Sequence, residues 1–503
     1  MRLPGILFSG GGDWSASEKT TAPSWQQAPM AKLMVYGKSF PKGCPRSESR
    51  LIRAHSQLGE LTDKGRETTL ALGQRFRRLY IDQLKYMPSL ISSSDSIYLR
   101  STPLPRALES VQQAFGGMYP LTARTASFPP PTIVTRTPAD ETLFPNEGNC
   151  RRFNQLSRAF AQRAAEKWNE TEEMEYINRL ISAWMPRSSP KVAVDSHPRL
   201  SGIMDTINAS LAHGPATRLP PEFYDPKARK IIENIGVDEW YSGYNENHEY
   251  RTLGIGALVG DIVERMTASI EHSGLTVHEV GGEDGRMGQG RGGETTIKFS
   301  MSGCHDTTLA GLLSSLGAFG GESWPPFTSH IALELFRKKN QSRNPEGVKP
   351  RSATEKQALA APARPGWFAS LVGLSSFIKS INRDVLTSGE ASEGIGRRPI
   401  SELSTAEKAK LNGYFVRIRY NDKVMTVPGC KKAGNHLEGD ETFCTMAAFK
   451  AIADEFTPRN WKRECDANME SVTIKPVGQE EWAGYSRVEP SEAASAHPGQ
   501  TLR

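Results

Sequence analysis

Residues 297–313 constrain this chain more than any other stretch. The apolar run Ile297-Lys298-Phe299-Ser300-Met301-Ser302 passes through Gly303 into Cys304-His305-Asp306-Thr307-Thr308, and then into the helical pattern Leu309-Ala310-Gly311-Leu312-Leu313. A strand that turns at once into a helix is the repeating unit of an α/β sheet. It sets an imidazole and a carboxylic acid side by side at a helix start, where free N–H groups and a partial positive charge favour bound anions. A His that contacts an anion, beside an Asp that can give up a proton, suits cleavage of a phosphate ester.

The bulk numbers narrow the class. The chain of 503 residues can bury a large core, whether as two to four domains or as one elaborated domain. Hydrophobic content of 37% and a mean hydropathy of −0.48 are low for a compact enzyme and predict polar insertions or tails. The formal net charge is +6, with basic residues dispersed rather than striped, so no nucleic-acid partner is indicated. No window approaches the roughly 18 consecutive apolar residues of a transmembrane segment. The start, Met1 to Gly12, has one basic residue and a broken apolar run, and it fails as a secretory signal; a soluble, intracellular protein is expected. The six cysteines (Cys44, Cys150, Cys304, Cys430, Cys444, Cys465) are spaced too widely for a zinc site or a dense disulfide framework. Cys430 and Cys444 could pair in an oxidising compartment, but reduced, buried thiols are expected.

Residues 1–30 lack periodicity and read as a disordered leader. Core text runs over 31–126, with a helix opening at the N-cap Thr62, a strand Ile97-Tyr98-Leu99 closing at Arg100, and a helix from Arg106 to about Gly116. Pro103 and Pro105 fall where proline costs little. The stretch 127–252 is mainly helical, without alternating strand patterns, and is expected to be a helical cap. Core text returns over 253–337, with a polar glycine-rich loop from Gly281 to Gly293 and a strand from His330 to Phe336. Residues 338–412 are poor in large apolar side chains and read as a low-complexity insertion. A third core part, 413–478, holds a hairpin around Asn421-Asp422 and a helix from Cys444 to Phe456. Residues 479–503 read as a disordered tail.

Arg100 stands at the mouth of its strand, where a guanidinium can grip two phosphate oxygens through charge-assisted hydrogen bonds. Placed at one sheet edge with His305 and Asp306, it completes an anion site of the kind α/β proteins build at the carboxyl ends of strands. Four motifs occur in order: Gly59-Glu60-Leu61-Thr62-Asp63-Lys64-Gly65, Leu99-Arg100-Ser101-Thr102 with Arg106-Ala107-Leu108-Glu109-Ser110, Cys304-His305-Asp306-Thr307-Thr308, and Trp324-Pro325-Pro326-Phe327. Together they resemble the histidine acid phosphatases, the second branch of the phosphoglycerate-mutase-like superfamily, in a fungal-looking form also similar to lysophosphatidic acid phosphatase. The likeness spans about 58–337 and 413–466.

The resemblance implies an α/β fold with a phosphoglycerate-mutase-like core sheet flanked by helices and an inserted helical cap. It implies phosphomonoester hydrolysis through a phosphohistidine, with Arg100 binding phosphate, His305 as the second phosphate-binding His, and Asp306 as proton donor. Neither metal nor other cofactor is implied, because fixed cations stabilise the charge. The implied partner is a phosphorylated small molecule or a lipid phosphate. The nucleophile is the departure: Arg-His-Gly occurs nowhere in the chain. Arg53-Ala54-His55 has no strand ahead of it, so His55 reads as a loop residue. Val35-Tyr36-Gly37 could be a remnant of the nucleophile strand. Impaired turnover is expected, either because the N-terminal part is altered or incomplete in this sequence or because the chain binds phospholigands without turning them over. His197 and His213, in the expected cap, read as solvated or capping, and Phe144-Pro145-Asn146 with Cys150 as structural.

Overall fold

Runs such as Ile97-Tyr98-Leu99 and Phe299-Ser300-Met301, buried residue after residue, belong to interior strands covered on both faces. In the computed structural model they lie side by side. The structure describes residues 2–9, 32–36, 60–129, 131–214, 219–273, 297–338, 394–470, 472 and 483–487. Every element below belongs to the unit formed by Met1–Arg337 and Ile395–Arg503; Lys338–Gly394 separates as a second unit.

Ten strands form one sheet among the described residues: β1 (Arg2–Ser9), β2 (Lys32–Tyr36), β3 (Ile97–Ser101), β4 (Thr132–Arg136), β5 (Phe299–Cys304), β6 (His330–Arg337), β7 (Tyr414–Tyr420), β8 (Lys423–Met425), β9 (His436–Leu437) and β10 (Asp440–Thr445). Their order is β2-β4-β3-β5-β1-β6-β7-β10-β9, with β8 paired to β7. The first five are parallel, and β6 onward alternate antiparallel. Arg100 pairs with Ser302 and Ser101 with Gly303, so β3 and β5 end at the same edge. The expected hairpin forms: Asn421 and Asp422 both take positive φ (46° and 70°), as a tight two-residue turn requires.

Helices α1 (Asp63–Phe76) and α2 (Pro105–Met118) cover one face of the sheet. Thr62 caps α1 as its spacing predicts, accepting from the Gly65 N–H at 3.1 Å. The two helices touch backbone to backbone at Gly73 and Gly117, where a Cβ would strike the carbonyls of Ala114 and Leu70. Helices α3 (Arg151–Trp168), α4 (Glu172–Ile181), α5 (Leu200–His213) and α6 (Pro226–Glu246) follow, then the short α7 (His248–Arg251) and α8 (Ala257–Glu271). They share a second core with α9 (Asp306–Ser315) and, after α10 (Thr405–Lys410), with α11 (Met446–Asp454) and α12 (Trp461–Cys465).

The structure departs from the sequence reading in five places. Residues 2–9, expected within a disordered leader, form β1 in the middle of the sheet, because the run Ile6-Leu7-Phe8 lies between β5 and β6. Val35 and Tyr36 lie on the edge strand β2, three places from β5, and so do not stand beside the His-Asp turn. The expected cap contributes β4, whose Ile133 and Val134 are core positions of the sheet. The end of the expected low-complexity insertion is ordered: Arg397 binds Asp261 and, at 2.8 Å, Glu264 of α8. Finally, four expected thiols form two disulfides, Cys150–Cys465 and Cys430–Cys444, while Cys304 is free and buried. Such bonds persist in oxidising compartments rather than in reducing cytosol. Among the described residues no helix is long and apolar enough to cross a membrane. His55 and the Gly281–Gly293 stretch lie outside the described residues.

Candidate active site

Strand β5 ends at Cys304, His305 caps α9, and Asp306 is its first helical residue. The turn is tied down by Thr308, whose Oγ1 accepts the His305 N–H at 3.3 Å and donates to the Leu143 carbonyl at 2.6 Å. From the neighbouring strand end, Thr102 brings its Oγ1 within 3.2 Å of His305 Nε2. Phe144 meets the imidazole edge-on at 6.1 Å. Burial, with the Arg106 charge adding to it, pushes the His305 pKa down to about 3, so the ring is neutral at physiological pH. A neutral imidazole beside an arginine becomes easier to charge once a dianion arrives between them.

Asp306 is held through both oxygens. Its Oδ1 accepts the Thr307 N–H at 2.8 Å and its Oδ2 accepts the indole N–H of Trp324 at 2.8 Å. Burial nevertheless raises its pKa above the ordinary carboxylate value, outweighing those donors and Arg106. A carboxyl that keeps its proton longer than usual, in fixed orientation, is equipped to protonate a leaving oxygen. A second carboxyl lies close by. Asp205 on α5 has its pKa raised to about 7, by its walled-in position first and by the charge of Asp306 second, against the pull of Arg106.

Two cavities meet this cluster. The smaller, about 230 Å³, is lined by Arg106, His305, Thr307, Phe144 and Tyr244 among others. The larger, about 620 Å³, is lined by Asp205, Trp324 and apolar side chains of α5, α6 and the Trp324–Thr328 loop. Among the described residues no group of three or more His, Cys, Asp or Glu side chains is placed to hold a metal ion.

The structure therefore brings His305 and Asp306 together and leaves Arg100 elsewhere. Arg100 is 1% exposed; it binds Glu141 Oε1 at 2.6 Å, Asp261 Oδ2 at 3.3 Å and Thr142 Oγ1 at 2.9 Å, and it lines neither cavity. Its side chain leaves a strand into the buried layer under the sheet edge, where carboxylates occupy it. The guanidinium at the imidazole is that of Arg106, in the first turn of α2 and therefore beyond the strand end. Its sequence signal was the Pro105-Arg106 helix start right after β3. Phe144 and Pro145, read as structural, line the smaller cavity, and His213 lines the larger one. His197 is exposed, with Nδ1 2.9 Å from the Ser196 carbonyl oxygen. Asp205 carried no motif.

Comparison with known proteins gives a consistent result. Residues 38–349 match the histidine phosphatase superfamily, branch 2. A Schizosaccharomyces pombe protein named as a probable acid phosphatase is 32% identical over 412 residues, 81% of this chain and 76% of that protein. The lysophosphatidic acid phosphatase type 6 of Pongo abelii is 24% identical over 283 residues, 56% of this chain and 57% of the relative. The apo form of Hafnia alvei phytase aligns with a TM-score of 0.49 at 10% identity, over 92% of this chain and 97% of that one.

Proposed function

We propose that this chain, which belongs to branch 2 of the histidine phosphatase superfamily, binds the phosphoryl group of a phosphomonoester between Arg106, Thr102 and His305, with Asp306 as proton donor to the leaving alcohol. The observation that carries this reading is the fixed, burial-protonated Asp306 next to the cavity that Arg106 and His305 line. Arg106 supplies permanent charge to the phosphoryl oxygens, and the neutral imidazole and the Thr102 hydroxyl supply hydrogen bonds. Asp306 then neutralises the alkoxide as the ester bond to phosphorus breaks. The substrate class is a phosphorylated small molecule or a lipid phosphate, in line with relatives named acid phosphatase and lysophosphatidic acid phosphatase.

Turnover is read as impaired. The family resemblance calls for an Arg-His-Gly nucleophile, and that tripeptide is absent from the chain. A specific observation favours the second reading, phospholigand binding without turnover: β1, the strand beside β5, is Arg2-Leu3-Pro4-Gly5-Ile6-Leu7-Phe8-Ser9 and contains no histidine. Losing the nucleophile of such a site removes nearly all of its rate advantage. The test measures phosphate protection against thermal unfolding and hydrolysis of an aryl phosphate at acidic pH on one preparation. We expect protection, abolished by Arg106→Ala, with slow or no hydrolysis. Absence of protection in the unaltered protein would sink the phosphoryl site.

A further inference from the structure

We propose that the larger cavity seats the alkyl chain of the leaving alcohol, so that the preferred ligand is a monoalkyl phosphate amphiphile rather than a polar phosphate ester. This rests on the role given to Asp306 above. A proton donor faces the oxygen that departs, so the leaving group extends from Asp306 away from the phosphoryl site. Asp306 Oδ2 is bound by the indole N–H of Trp324, and the same indole lines the larger cavity. Asp205, whose charge is coupled to that of Asp306, lines it as well. The two carboxyls mark the end of the cavity at which an ester oxygen would sit.

From there the wall is apolar. Met204 and Ile207 of α5 and Ile232 of α6 are buried, and Trp324 and Pro325 close the opposite side. Leu211, 40% exposed, continues the strip to the mouth. The basic side chains belong to the rim, where Lys230 is already paired with Glu233 at 3.2 Å. A sugar, an inositol or a second phosphate placed along this wall would lose its water and find few donors or acceptors. An alkyl chain has no such cost, and about 620 Å³ lies within the usual size of ligand sites.

The test is calorimetric binding of inorganic phosphate and of ethyl, butyl, hexyl and octyl phosphate, each below its aggregation limit, to the full chain. Leu211→Glu and Phe327→Ser are compared with the unaltered protein. Burial of each methylene should tighten binding about fourfold. Both substitutions should flatten that series while inorganic phosphate binds as before. Equal affinity for inorganic and octyl phosphate would overturn the cavity assignment and leave the phosphoryl site standing. A chain-length gain untouched by either substitution would overturn it too, because the chain would then lie elsewhere. Binding of none of the five ligands would overturn both readings together.

Discussion

Arg100 and Arg106 stand on either side of one turn, and their surroundings are opposite. Around Arg100 the chain has packed acids: Glu141 and Asp261 bind it, while Arg136 at 3.1 Å and Arg397 share Asp261. Burial alone would raise the pKa of Asp261, but the arginines around it hold that carboxyl well below the usual range. Around Arg106 the chain has left a cavity, a neutral imidazole and a hydroxyl. The same guanidinium is spent in one region on joining β3, β4, α8 and the segment at Arg397, and in the other it faces a place where an anion fits. A charge inside a sheet must be matched by the fold, whereas one just past the strand end can wait for a ligand.

The sharpest way to break the contrast is to truncate the inner arginine. Arg100→Ala leaves Glu141 and Asp261 short of a partner, and removing one member of a buried ion network costs about 3–5 kcal/mol. Urea unfolding should show a loss of that size. A loss under about 1 kcal/mol would mean the network is not what joins these elements. Arg106→Ala should do the reverse. Stability should change little, while phosphate affinity falls about 10- to 150-fold, the worth of charge-assisted hydrogen bonds. Equal phosphate affinity in the two forms, read by calorimetry, would return the anion site to another cation.

What could be read from the sequence was local. The strand, turn and helix at 297–313, the Thr62 cap and the Asn421-Asp422 hairpin each depend on a handful of consecutive residues, and each formed as expected. The choice between Arg100 and Arg106 was not local, because the acids that occupy Arg100 lie 41 and 161 residues away. β1 was hidden for the same reason: Pro4 and Gly5 interrupt its apolar run, and its partner in the sheet is Gly303 or Cys304 at the far end of the core. The bond from Cys150 to Cys465 spans 315 residues, which no spacing rule reaches. Asp205 carries no motif at all, and only folding places it near Asp306.

A finer cut separates the hydroxyl from the charge. Thr102→Val keeps the shape of the residue and removes the oxygen next to His305 Nε2. One neutral hydrogen bond is worth about 0.5–1.5 kcal/mol, so phosphate affinity should fall about 2- to 12-fold and stability should hold. Affinity unchanged within twofold would take Thr102 out of the phosphoryl site.

The smallest effects are in the pH dependence, and they carry opposite signs. Asp205 in the folded chain holds its proton up to about 7 against an ordinary value of 3.8. The stability it contributes is complete below about 3.8 and is lost as pH rises through about 7. Asp205→Asn has no proton to lose, so its melting temperature relative to the parent should climb between pH 4 and pH 8, on the order of a few degrees. His305 runs the other way, with its pKa pushed down from 6.5 to about 3; the folded chain loses stability as pH falls from about 6.5 toward 3. His305→Asn should therefore gain on the parent in acid and not at neutral pH. Melting curves of the three proteins at pH 4, 6 and 8 resolve both slopes. Parallel curves would show that neither group is held away from its ordinary protonation, and with that the electrostatic contrast between the open site and the buried network would disappear.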